Sequence, residues 1–418
     1  MPILLPGKKK PQDLILYGKN LALLGAFCLF LSAVEYMIPK PLPFMRIGLA
    51  NLPLILALDI FPLYAFLILV CVKVLGQALI TGTLFSYIFL FSLTGTFLSA
   101  LLMFLLRRIF CLKLSGHERI TFIGIGTAGA MVSNLSQLAL ARVFIFRENI
   151  IYITPVFLLS GLITGIVLGI FCEVFADRSR WYLQHSFRRC KEEIKEQINK
   201  KEEREDGIKE RAEIEKKKGG KRLEIYKNLF SANALFITGF LIIPALLFNP
   251  DTGYRFVQFF FFMFLVWVCG KKVNFIFTFL IITGIVLFNL IIPYGRVLFS
   301  FGAFKITSGA LTAGIHRAVT LYALVMVSKV TIRQDIKIPG FFGELLCESL
   351  RIFSVLMNRK NHITAKNFIN NIDRMMLELS AEEVDQTPVQ LIRTKPAGYV
   401  ILITVIIISW IPWVMNFF

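Results

Sequence analysis

RIGLANLPLILAL, Arg46–Leu58, is the stretch on which the fold turns. It is apolar enough for lipid, yet it opens on an arginine and carries Asn51 and Pro53 near its start. A segment that merely crossed a bilayer would need neither, because polar groups in hydrocarbon are costly. The runs that follow it are longer and cleaner. Residues 63–81, 84–106, 120–146 and 150–176 each reach or approach the ~20 apolar residues that span a hydrocarbon core. None alternates like a barrel strand, and lipid-facing backbone must satisfy its own hydrogen bonds, so helices are expected.

Composition agrees. The chain has 418 residues, of which 56% are hydrophobic and 17% charged, with a mean hydropathy of +0.68. Soluble domains carry about a quarter charged residues. The net charge of +19 fits the basic cytoplasmic loops of a membrane protein better than a nucleic-acid surface. Seven cysteines form no C-x-x-C pair, and four histidines show no metal spacing. No metal or cofactor is implied.

Apolar runs outline an all-α, polytopic membrane protein of about eleven spans in two modules. Residues 1–176 hold six runs, the first starting near residue 20 and read as a retained helix rather than a cleaved leader. Residues 177–227 carry 17 basic and 12 acidic side chains at helical spacing. That is a solvated linker with i,i+4 ion pairs. Residues 228–418 hold four further runs, a polar block over 329–396 and a last run at 398–416. With Lys8, Lys9 and Lys10 inside, the other basic connections (Arg107, Arg108 and Lys113, the linker, Lys271 and Lys272, and the polar block) also fall inside. A multi-pass protein with a cytoplasmic N-terminus follows.

The first module carries polar residues within its runs. Lys73 and Gln77 lie one turn apart, and Asn134, Gln137 and Arg142 cover about 140° of a helical wheel. That breadth suits a helix lining a cavity. The plainer reading is that these groups pair with each other or snorkel to an interface. Among these residues Arg and Lys outnumber acids, with Glu35 the exception, which hints at an anionic or carbonyl-rich ligand. Ala22 and Ala26, and Gly161, Gly165 and Gly169, are small residues spaced by four, a pattern of close helix contact in membranes.

RIGLANLPLILAL, GTLFSYIFLFSLTGTFLSALL, IGIGTAGAMVSNLSQL and PVFLLSGLITGIVLG, in that order, resemble the Gx family. These are substrate-binding S-components of energy-coupling-factor (ECF) transporters, often labelled heptaprenyl diphosphate synthase component I. The resemblance implies a six-helix module that takes up a small molecule from outside. It also implies that Ala22 and Ala26 dock on a coupling protein. Arg46 and Asn51 would then sit in a cover over the ligand site and donate to the ligand, joined by Lys73, Gln77, Asn134, Gln137 and Arg142. Pro53 suits the first turn of a helix resuming after a break.

The second module is similar to the T-component of the same transporters in architecture, with amphipathic coupling helices at 335–395. On one face of these stretches lie Phe342, Leu345, Leu346, Phe353 and Leu356, and Phe368, Ile372, Met375, Met376 and Leu379; such faces need a cover, from each other or from a partner such as an ATPase groove. The coupling triplet of known T-components is missing; Arg351 and Arg374 are the nearest arginines in helical context and the expected contacts to ATPase subunits. The chain has neither a phosphate-cradling G-x-x-x-x-G-K-[ST] loop nor paired aspartates to hold Mg²⁺ on a diphosphate. Catalysis by this chain is therefore not expected. The leading expectation is a non-enzymatic importer subunit in a bacterial cytoplasmic membrane. Its partners would be separate ABC-type ATPases on the cytoplasmic side, the bilayer and a small ligand (flavin, another vitamin, or a quinone or isoprenoid precursor), and no nucleic acid. Two alternatives stay open: a non-catalytic membrane subunit of prenyl diphosphate or quinone metabolism, and an assembly factor for a membrane redox complex.

Overall fold

A computed structural model describes residues 11–37, 48–112, 121–186, 221–249, 252–271, 273–301, 304–333, 335–336, 338–359, 368–381 and 393–415. Arg46, Lys8, Lys9, Lys10, Lys113, Lys272 and residues 187–220 of the charged linker lie outside them. The protein is helical almost throughout. α1 (Pro11–Met37) is followed by a 3-10 turn, Leu49–Asn51, and the short α2 (Leu52–Ala57). α3 (Leu63–Thr81), α4 (Tyr87–Leu112), α5 (Phe122–Ala141), α6 (Ile150–Arg178) and α7 (Arg180–His185) complete the first module. α8 (Lys221–Leu229), α9 (Ala232–Leu247), α10 (Thr252–Val268) and α11 (Phe275–Asn289) open the second. An antiparallel hairpin, β1 (Val297–Phe301) and β2 (Phe304–Thr307), leads into α12 (Ser308–Thr331). α13 (Phe341–Arg359), α14 (Phe368–Ala381) and α15 (Pro396–Met415) follow.

Five segments among the described residues are long and apolar enough to cross a membrane: 18–36, 63–81, 87–109, 122–178 (which holds both α5 and α6) and 308–331. A sixth arises if α8 and α9, bent by 89°, form one broken span. The apolar stretches 253–268, 278–289 and 396–412 are shorter, so the expected eleven exceeds what length and composition support. Two readings change. The run at 47–60 does not cross: its helical turns, Leu49–Ala57, rise only about 14 Å at 1.5 Å per residue, half of a ~30 Å core. The fourth apolar run of the second module starts as the second strand of the hairpin, Phe304–Thr307.

Small residues set the helix spacing. A Cβ on Gly169 would lie 2.3 Å from Ile123 Cα, and one on Gly165 would lie 2.7 Å from Thr127 Cα. The glycine face of α6 therefore packs backbone to backbone on α5. Ala22 and Ala26 are fully buried on α1. Between them, a Cβ on Gly25 would lie 2.8 Å from Ser349 Oγ and 2.9 Å from Val72 Cγ1. α1 is thus clasped between α3 of its own module and α13 of the other. One apolar core runs unbroken from α1–α6 into α13 and α14.

The modules also meet along α12. Connections 82–86 and 142–149 of the first module both reach it. The Phe85 N–H donates to Ser328 Oγ at 3.2 Å, while Arg317 Nη1 donates to the Ile145 carbonyl at 3.0 Å. Eleven helical residues separate those two positions on α12, about 16 Å at 1.5 Å each. Asn149 Nδ2 reaches the carbonyls of Phe288 and Asn289 at 2.9 and 3.0 Å. These two connections of the first module lie against the flank of the second.

Candidate functional site

The site builds outward from Lys73. It lies mid-way along α3 and is 2% exposed. A buried ammonium is tolerated only with partners. Its Nζ donates to Asn51 Oδ1 and, at 3.4 Å, to Thr96 Oγ1 on α4. Asn51 ends the 3-10 turn before α2, and Pro53 occupies the first turn of that helix. This answers what the opening stretch needs its polar start for: Asn51 brings an acceptor to a buried cation, and the break in the helix puts it there.

Glu35, 5% exposed, closes the same space from α1. Its Oε2 accepts the Gly48 N–H at 3.2 Å, and Gly48 holds φ +88°, a left-handed turn that favours glycine. Asn134 Nδ2 donates to the Phe157 carbonyl at 2.7 Å. Gln137 Nε2 donates to Ser133 Oγ at 2.9 Å. Buried polar atoms are nearly always hydrogen-bonded; here Gln137 Oε1 and Ser99 Oγ have no partner among the described residues. Ser99 lines the cavity itself, together with Glu35, Asn51, Lys73, Gln77 and Asn134. Its free volume is about 30 Å³, room for a water or two.

Of the seven residues expected to bind a ligand, the structure brings Asn51, Lys73, Gln77 and Asn134 to one cavity, with Gln137 bonded to its wall. Arg142 is elsewhere. It is exposed, starts a π-helical turn (Arg142–Phe146) and pairs with Glu148 at 3.0 Å. Arg46 is outside the described residues. Among the described lining residues the cavity holds one cation, Lys73, and one carboxylate, Glu35. Among the described residues the lining thus carries no cationic excess of the kind that pointed to an anionic ligand. Thr96, Ser99 and Ser133 were not singled out; hydroxyls inside apolar runs such as SLTGTFLSALL were the available signal.

Two further polar clusters fix the opposite end of the first module. Arg107 Nε and Nη2 hold Asp59 Oδ1 and Oδ2 at 2.7 and 3.0 Å, and Tyr182 OH donates to Oδ2 at 2.8 Å. Asp373 on α14 accepts the Arg180 and Trp181 N–H groups at 3.1 and 3.0 Å, capping α7. The coupling residues divide. Arg374 is exposed on α14, whereas Arg351 is partly buried and lines a cavity between the modules. The apolar faces expected to seat in an ATPase are covered within this chain: Leu23, Phe27 and Phe30 of α1 line one pocket with Leu356, Ile372 and Met376.

These features define a polytopic helical membrane protein whose first module encloses a polar cavity and is clasped by helices of the second. Residues 24–175 match the family described as heptaprenyl diphosphate synthase component I, the family that the first module's motifs resemble. Residues 233–334 match a family described as a domain of unknown function (DUF8519). No curated protein and no solved structure matches the chain.

Proposed function

We propose that this chain is the membrane subunit of an ECF-type importer, in which an S-component-like module is fused to a T-component-like one. The observation that carries this reading is the buried cavity among Glu35, Asn51, Lys73 and Asn134, with orphaned acceptors beside it. Polar groups of both signs in an otherwise apolar bundle are costly unless a ligand uses them. A balanced pair of charges and several amide groups suits a small molecule rich in donors and acceptors, such as a vitamin. In the closed arrangement the cavity is too small for one. Its cover, Gly48–Ala57, must move to admit a ligand. The clasp of α13 on α1 supports mechanical linkage, with ATPase subunits acting on the cytoplasmic side through α14. The chain has no catalytic constellation of its own in this reading.

Uptake into proteoliposomes tests it. Substrate accumulation should require ATP and added ATPase subunits, and ligand identified by mass spectrometry of gently solubilised protein should be lost in Asn51→Ala. Uptake by this chain alone would sink the importer reading. The description of the matched family favours a second reading, a non-catalytic partner of prenyl diphosphate synthesis. Retention of an isoprenoid instead of a vitamin, with no ATPase association, selects it.

A further inference from the structure

A much larger cavity lies elsewhere. It has a free volume of about 1390 Å³ and is bounded by the ends of α1 and α3 from the first module and by α8, the end of α12 and α13 from the second. Among the described residues lining it, five are cationic (Lys227, Lys271, Lys329, Arg333 and Arg351) and two acidic, Asp335 and Glu344. Asp335 is already committed to Arg333, at 2.8 Å from its Nε. Lys271 Nζ donates to the Ile332 carbonyl at 2.9 Å. It also sits 5.1 Å from the centre of the Tyr226 ring, which Arg333 approaches at 5.8 Å. One aromatic ring thus fixes two cations side by side. The amines of Lys227 and Lys329 have no hydrogen-bond or ion-pair partner among the described residues. Burial, and after it the Arg333 and Lys329 cations, pull the Lys271 ammonium down to about 8 against the opposing pull of Cys269 and Asp335.

The remaining wall is apolar: Leu79 and Ile80 from α3, Ile336 and Ile338 before α13, Leu346 and Leu350 on it. A cationic end beside an apolar trough, at the basic boundary of a membrane protein, matches an amphiphile with an anionic head. Lysines offer point charges that suit phosphate oxygens.

We propose that this inter-module cavity binds a phosphate group, carried by an anionic membrane lipid or by a soluble phosphorylated molecule, with Lys227, Lys329 and the half-buried Lys271 as its contacts. The occupant fills the seam between the modules. Nothing in the proposal depends on import, since the cavity is separate from that around Lys73.

The test uses the full chain in nanodiscs of phosphatidylcholine with graded phosphatidylglycerol. Native mass spectrometry counts the lipid retained, and thermal unfolding is followed with and without inorganic pyrophosphate. Lys227→Gln with Lys329→Gln removes two charges while leaving the carbonyl-bound Lys271 in place. Lys305→Gln with Arg393→Gln removes the same charge from exposed positions outside the cavity. Phosphatidylglycerol retention should fall at least about fivefold in the cavity variant and stay near wild type in the control, which assigns a lipid headgroup. If instead pyrophosphate stabilises wild type and control but not the cavity variant, the occupant is a soluble phosphate. Equal retention and equal response to pyrophosphate in all three proteins, or equal loss in both variants, overturns the proposal.

Discussion

The Lys73 ammonium donates to the Asn51 side-chain carbonyl, tying the middle of α3 to the 3-10 turn that precedes α2. That bond makes a short segment, unable to cross a membrane, into the lid of a buried polar cavity. Removing Asn51 leaves a buried cation short of an acceptor, which costs about 1–3 kcal/mol. Asn51→Ala should therefore lower the unfolding temperature and weaken ligand retention by roughly tenfold or more, at 1.4 kcal/mol per decade. Lys73→Met with Asn51→Leu removes both partners and should recover much of the stability but none of the binding. A double variant that still holds ligand at wild-type affinity would return both residues to a purely structural role.

The α5–α6 seam gives the sharpest steric expectation. Any side chain at Gly169 meets the Ile123 backbone, and backbone cannot yield as a rotamer can. Gly169→Val should abolish folded protein in detergent, or lower its unfolding temperature by far more than the 0.5–3 kcal/mol scale (about that range) of ordinary substitutions implies. Gly18→Ala is the matched control, because nothing lies within 4 Å of its added carbon. Comparable yields and melting temperatures for the two would refute the packing described for α6.

Asp373 makes the analogous link at the other end. It accepts two backbone N–H groups at the start of α7, and charge-assisted caps are the stronger kind. Asp373→Ala should cost about 1–2 kcal/mol and loosen α14 from α7. Hydrogen exchange should quicken in 368–381 and 180–185 while 122–141 stays protected. Uniform exchange across all three segments would mean that the cap is not what holds them.

Much of this was legible in the sequence, and the omissions have physical causes. Hydrophobic runs locate helices because burial in lipid leaves the backbone no alternative, so α1, α3, α4, α5, α6 and α12 were readable. Asn51, Lys73, Gln77 and Asn134 stood out because their cost within apolar runs is visible residue by residue. Their partners were not, since Thr96 and Ser99 are cheap in any helix. Arg142 was misplaced because a helical wheel assumes that the α geometry continues, whereas the chain leaves it at that residue for a π turn. The amphipathic faces of α13 and α14 were correctly seen to need a cover. Periodicity reveals that a face is apolar but not what covers it, and α1, more than 300 residues away in sequence from α13, was the answer.

Lys271 gives a pH dependence. Its folded value is about 8, lowered by burial and then by Arg333 and Lys329 against the opposing pull of Cys269 and Asp335; an unfolded lysine titrates near about 10.4. Between these values the unfolded chain binds more protons, so this group makes stability rise with pH above about 8 and leaves it flat below. In lipid-free detergent the unfolding temperature of wild type, relative to Lys271→Met, should climb from pH 7 to pH 9. An anion bound in the cavity would hold the proton on and flatten that climb. A difference between the two proteins that does not change with pH would mean that Lys271 keeps an ordinary value.

The last expectation separates Arg351 from Arg374. Both were expected to contact ATPase subunits. Their surroundings now differ. Arg374 is exposed on α14, whose apolar face is already buried on this chain. A partner there would meet a polar surface with an arginine on it, and reversing such a charge mainly slows association and alters its salt dependence. Arg351 lines the cavity between the modules, where a new carboxylate would join Glu344 and disturb the seam from within. Arg374→Glu alone should then reduce co-purification of ATPase subunits, more so at low salt where the charge is least screened, and leave ligand binding intact. Arg351→Glu alone should leave partner association nearly unchanged and lower the unfolding temperature. Shortening 195–215 within the charged linker should affect neither. If Arg351→Glu releases the ATPases while Arg374→Glu does not, the coupling surface runs through the inter-module cavity, and α14 is only a brace for α1 and α7.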